Sequence, residues 1–96
     1  MIVDAVFRAI ADPARRAIID DLAARNDQTL FEICVRLITE RGVSMSRQAV
    51  SKHIGILREG GLVTVTTVGR TTVHHLDTDA LAEARRWIEA VQGETS

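Results

Sequence analysis

One feature limits what this chain can fold into more than any other: the hydrophobic period changes at Leu62. Before that point apolar residues recur at helical spacing; after it, "LVTVTTV" and "TTVHHL" follow a period of two. Both runs are rich in Val and Thr, and Gly69-Arg70 separates them, so they read as a β-hairpin.

The helical part divides at its own punctuation. Val3, Val6, Phe7 and Ile10 place a first helix over 3–11. Asp12-Pro13 then supplies an N-cap and a first helical position for a second helix over about 13–25. That helix turns Ala14, Ala17, Ile18 and Leu22 inward, with Ile19 at the margin, and Asn26-Asp27-Gln28 breaks it. Thr29 followed by Glu32 is a capping-box pattern opening a third helix near 30–41, with Leu30, Ile33, Cys34, Leu37 and Ile38 as its apolar positions. Gly42 suits a left-handed stop. Ser46 caps a fourth helix over 47–59, and Gly60-Gly61 ends it. Asp77 or Asp79 starts a last helix running to about Val91, with "QGETS" as a frayed tail. The order is four helices, a hairpin and a helix (ααααββα): a mainly α chain with a β-hairpin, of the α+β class, in one domain over 1–96.

The fourth helix, "SRQAVSKHIGILREGG", has two unlike faces. At 100° per residue, Val50, His53, Ile54 and Leu57 share one arc, while Gln48, Ser51, Lys52, Gly55 and Glu59 take the other. Gln, Ser, Lys and the nearby Arg47 are the side chains that read base edges or hold phosphate in a DNA major groove. Ser46 and the N–H groups at the helix start suit a backbone phosphate. Gly55 costs about 1 kcal/mol relative to alanine in a helix interior. Either a groove wall comes close to it, or another helix packs there. The third and fourth helices form a helix-turn-helix, and a hairpin beside them is a wing whose tip residue, Arg70, reaches a minor groove or a phosphate.

Charge agrees once it is resolved along the chain. The net charge is −1, yet residues 43–76 balance at +3, between segments at −1 and −3. Aromatics, at 3%, are too few for a single-strand stacking platform. The composition, 46% hydrophobic and 26% charged, is that of an ordinary globular domain. A lone cysteine, Cys34, excludes an internal disulfide and fits a reducing compartment. The N-terminal stretch lacks a signal-peptide core and no apolar run is long enough to span a membrane, so a cytoplasmic location is expected.

In succession, "AIADPARRAIIDDLA", "FEICVRL", "SRQAVSKHIGILREGGLV" and "GRTTVHHLD" resemble the segments of ArsR/SmtB-type winged-helix transcriptional regulators, over nearly the whole chain. The resemblance implies a homodimer with its first and last helices packed across a two-fold axis. It also implies two recognition helices presented to a palindromic operator in promoter DNA, and repression by occupancy. By matching positions, Ser46, Arg47, Gln48, Ser51, Lys52 and His53 form the recognition set, with Arg70 in the wing. The apolar residues of the terminal helices support the dimer independently. Val3, Val6, Phe7, Ile10, Leu81, Trp87, Ile88 and Val91 offer more apolar surface than one small core needs.

Relatives of this type that respond to arsenic carry C-V-C in the third helix; here Cys34 matches the first thiol, but Arg36 stands at the second. One thiol does not make the multi-thiolate site that soft ions favour. No Cys or His follows His75, and Leu81 stands two residues after Asp79 where zinc-binding relatives have His. His74 and His75 are adjacent in a strand and point to opposite faces. A repressor without metal or other cofactor is expected, and no spacing suggests an enzyme. The alternatives are a metal-responsive repressor with non-standard ligands and a winged helix used for protein–protein contacts.

Overall fold

A computed structural model describes the backbone of residues 2–95 and the side chains of residues 4–94. The elements are α1 (Ile2–Ile10), α2 (Pro13–Ala24), β1 (Gln28–Thr29), α3 (Leu30–Arg41), α4 (Arg47–Glu59), β2 (Val63–Val68), β3 (Thr71–Leu76) and α5 (Asp79–Thr95). The expected helix starts rest on the expected caps. Asp12 accepts the Ala14 N–H at 2.7 Å, and Ser46 Oγ accepts that of Ala49 at 3.0 Å. Thr29 and Glu32 close the capping box, each side chain taking the other's backbone N–H. At Gly42 the chain turns left-handed, with φ of 64°, and Val43 N–H returns to the Leu37 carbonyl at 2.8 Å.

Helices α1 to α4 enclose a core of Val6, Ile18, Leu22, Ile33, Val50 and Leu57, closed by Leu62 and Val63 as the chain enters the sheet. The sheet is antiparallel with order β1-β3-β2. In it His74 stands between Gln28 on one side and Val65 on the other. Helix α5 returns beside α1, where the Phe7 and Trp87 rings meet edge-to-face at 5.5 Å.

Four features differ from the expectations. The break at 26–28 holds a two-residue strand, because Gln28 and Thr29 pair with Val73 and His74 rather than ending in a loop. Ile38, expected to face inward, is 52% exposed, as the buried arc of α3 centres on Ile33 and Leu37. The tail expected to fray continues α5 through to Thr95. Finally, Gly55 faces open space: a Cβ there would meet nothing within 4 Å, so no helix packs on it.

One glycine is required by packing rather than by φ. A Cβ on Gly60 would stand 3.0 Å from the Ala5 carbonyl oxygen and 3.2 Å from the Ala9 Cβ. Helix α1 therefore crosses the C-terminal end of α4 at backbone distance.

Candidate nucleic-acid interface

The connection Gly42–Ser46 joins α3 to α4, the β2–β3 hairpin follows in the chain, and residues of α3, α4 and the hairpin line one common cleft. On α4, Val50, Ile54 and Leu57 are buried and hold the helix to the core. Ser46, Arg47, Gln48, Ser51 and Lys52 are all exposed, as is Arg70 at the hairpin turn. A cleft between α3, α4 and β3 brings Arg47 and Ser51 together with Arg70 and Thr72. Phe31, 66% exposed, forms part of its wall.

Half of the lysines and arginines are in ion pairs: Arg15, Arg25, Arg36, Arg41, Arg85 and Arg86 each pair with a carboxylate. Among the described residues Arg47, Lys52 and Arg70 are in no ion pair, and Arg8, Arg16 and Arg58 are unpaired like those of this face. Unpaired cations beside hydroxyl and amide groups form a surface for a polyanion.

His53 is placed differently from the rest of the expected set. It is half-buried on the flank of α4, and Arg15 lies 3.2 Å from its Nδ1. A guanidinium only donates, so Nδ1 is the acceptor. The reading of single helices missed Arg15 because the two residues are 38 positions apart in the chain.

The histidines of β3 are occupied by the fold. His74 is buried and its Nδ1–H donates to the Gln28 carbonyl at 2.9 Å. His75 lies 2.6 Å from Asp27 Oδ1 through Nδ1 and 2.8 Å from Thr66 Oγ1 through Nε2. Burial pushes the Cys34 thiol up from its ordinary range, against the opposing pull of Arg47. Among the described residues no group of three or more His, Cys, Asp or Glu is arranged to hold a metal ion.

The expected dimer residues separate into two groups. Val6 is fully buried within the protomer and offers no surface to a partner. Its expected role is corrected by the helix pairing, which encloses it. Phe7, Ile10 and Leu81 are half-buried against the core. Trp87, Ile88 and Val91 are exposed along α5 at 56%, 43% and 39%. The Val3 side chain lies outside the described residues.

A helix-turn-helix with a hairpin beside its second helix defines the winged helix-turn-helix class. The sequence agrees: residues 10–66 match the model of a helix-turn-helix domain. The chain is 41% identical over 87 residues to the uncharacterized HTH-type transcriptional regulator YuzN of Bacillus subtilis (strain 168), covering 90% of this chain and 95% of that protein. It is 29% identical over 83 residues to the transcriptional repressor SdpR of the same organism, covering 86% of this chain and 84% of that one. Among solved structures, an ArsR-like transcriptional regulator from Rhodococcus sp. RHA1 superposes with a TM-score of 0.75 at 30% identity, over 97% of this chain and 81% of that chain. The chain belongs to the ArsR-like helix-turn-helix transcriptional regulators.

Proposed function

We propose that the protein is a homodimeric repressor that occupies a palindromic operator and acts without a metal ligand. The observation that carries this reading is the face just described: exposed Ser46, Arg47, Gln48, Ser51 and Lys52 beside Arg70, with the cations held in no internal ion pair. Gln48 and Arg47 face base edges, while Ser46, Lys52 and the Arg70 wing hold phosphates. Repression is the role carried by the name of SdpR, and an operator occupied through this face blocks a promoter by position alone. The exposed Trp87 and Ile88 on α5 supply the apolar seam for a second copy. A two-fold dimer repeats its half-site contacts about one DNA turn apart, roughly 34 Å.

Two substitutions test the reading. Gln48→Ala relaxes base preference at one position, whereas Arg70→Ala weakens binding on all sequences and lowers its salt dependence. An equal loss on all duplexes for Gln48→Ala removes it from base readout. Repetition with EDTA and with zinc tests the metal-free assignment, which fails if zinc releases the DNA.

A further inference from the structure

We propose that Arg15 is a positioning residue for DNA recognition: it fixes the pose of α4 by joining it to the end of α1. This rests on the DNA-binding reading above and assigns the geometry of that site to a side chain outside it.

The guanidinium lies where three helices meet. Its Nε donates to the Ala9 carbonyl at 2.8 Å and one NH₂ to the Arg8 carbonyl at 3.0 Å. These are carbonyls of the last turn of α1; that of Arg8 also accepts the Ala11 N–H at 3.3 Å. The other NH₂ reaches His53 Nδ1 at 3.2 Å on α4 and stands 3.5 Å from Asp12 Oδ2, the residue that caps α2. The Arg15 side chain is only 12% exposed, and its bonds to Ala9 and His53 are partly buried while the one to Arg8 is exposed. Five donors in a planar fork serve three helices at once, which a lysine ammonium does not reproduce.

A second contact makes the attachment directional. Ala9, whose carbonyl takes the Arg15 Nε–H, also faces Gly60 at the far end of α4. Helix α1 thus grips α4 at its middle through Arg15 and His53, and at its C-terminus through bare backbone. Two points fix a rod's direction where one would leave it free to pivot. The directly adjoining Ser51 and Lys52 inherit that direction, since they lie two residues and one residue before His53. Helix α1 also meets α5, through Phe7 and Trp87. The clamp therefore relates the reading face to the helices that face a second copy.

The test is a double-mutant cycle on DNA. Wild-type full-length protein first selects duplexes from a random-sequence pool. Affinity is then measured for one selected duplex and for the unselected pool. We expect Arg15→Gln to lower affinity for the selected duplex by about tenfold while pool binding stays within about twofold. His53→Ala should act in the same direction, and the double variant should lose no more than the stronger single one. His53→Gln, whose amide oxygen accepts an N–H, should recover most of the loss. If Arg15→Gln fails to fold, His53→Ala carries the test, because Arg15 keeps its bonds to α1.

Three results overturn the proposal. Losses that multiply in the double variant mean that His53 acts on DNA by itself. Equal losses on the selected duplex and the pool mean that only a positive charge was removed. Unchanged selective binding by folded Arg15→Gln means that the clamp is structural alone. Failure of the wild-type protein to enrich any sequence is a different result, and it removes the DNA-reading assignment itself.

Discussion

Arg36 Nε lies 3.0 Å from Oδ1 of Asp21, whose side chain is fully buried between α2 and α3. The same carboxylate accepts the Gln28 amide at 2.9 Å through Oδ2, and Arg41 stands 3.9 Å away. Arg36 occupies the position at which the arsenic-responsive pattern carries its second cysteine. In this chain that position serves to neutralise a buried charge, and through Gln28 the network continues to His74 in the sheet.

Removing one partner of a buried pair leaves the other uncompensated, which typically costs about 3–5 kcal/mol. Arg36→Ala should fall toward the lower end, because Arg41 and Gln28 remain beside Asp21. Urea unfolding checks this. A loss below about 1 kcal/mol would mean that the pair behaves like a surface ion pair. Arg36→Cys rebuilds the C-V-C spacing and should lose stability for the same reason.

Gly55→Ala should raise thermal stability by about 1 kcal/mol, since the new methyl meets only open space in the free protein. The same change should weaken DNA binding if a groove wall or base edge comes close to this position. A gain in stability with unchanged affinity would leave the glycine without a part in recognition.

The caps and turns were legible in the sequence because each is local. Asp12-Pro13, Thr29 with Glu32, Gly42 and Ser46 are decided within four residues, and all stand where their chemistry places them. The exposed face of α4 was legible for the same reason. What escaped depends on residues far apart. A carboxylate such as Asp21 reads as solvated until Arg36 and Gln28 are brought to it. The β1 strand has two residues and exists only by pairing with β3. Arg15 sits in the quoted "ADPARR" run, yet its partner His53 is on another helix.

Acid should weaken the start of α3. Glu32 is held below its ordinary carboxylate range, first by the Thr29 backbone N–H and then by the Thr29 hydroxyl. A depressed folded-state value adds stability above the unfolded-state value, and this is lost as pH falls through the folded one. Glu32→Gln keeps an acceptor for the box but cannot titrate. Its unfolding midpoint should therefore change less than that of the wild type between neutral pH and pH about 3. Identical pH profiles would remove Glu32 from the acid response.

Trp87→Glu should convert a dimer to monomers, because a carboxylate placed in an apolar seam is costly to desolvate. Trp87 is 56% exposed in the protomer, so folding should survive. Sedimentation velocity separates the outcomes: a variant that sediments like the wild type moves the interface away from α5.

The most direct test of the central claim is fluorescence anisotropy with DNA upstream of the protein's own gene, beside a scrambled duplex, over a salt titration. The repressor reading predicts tight binding to the upstream duplex that persists at moderate salt, with the scrambled duplex far weaker. Weak binding, equal on both and vanishing with salt, would contradict it. Such a result would reduce the face on α4 to the +3 charge of residues 43–76.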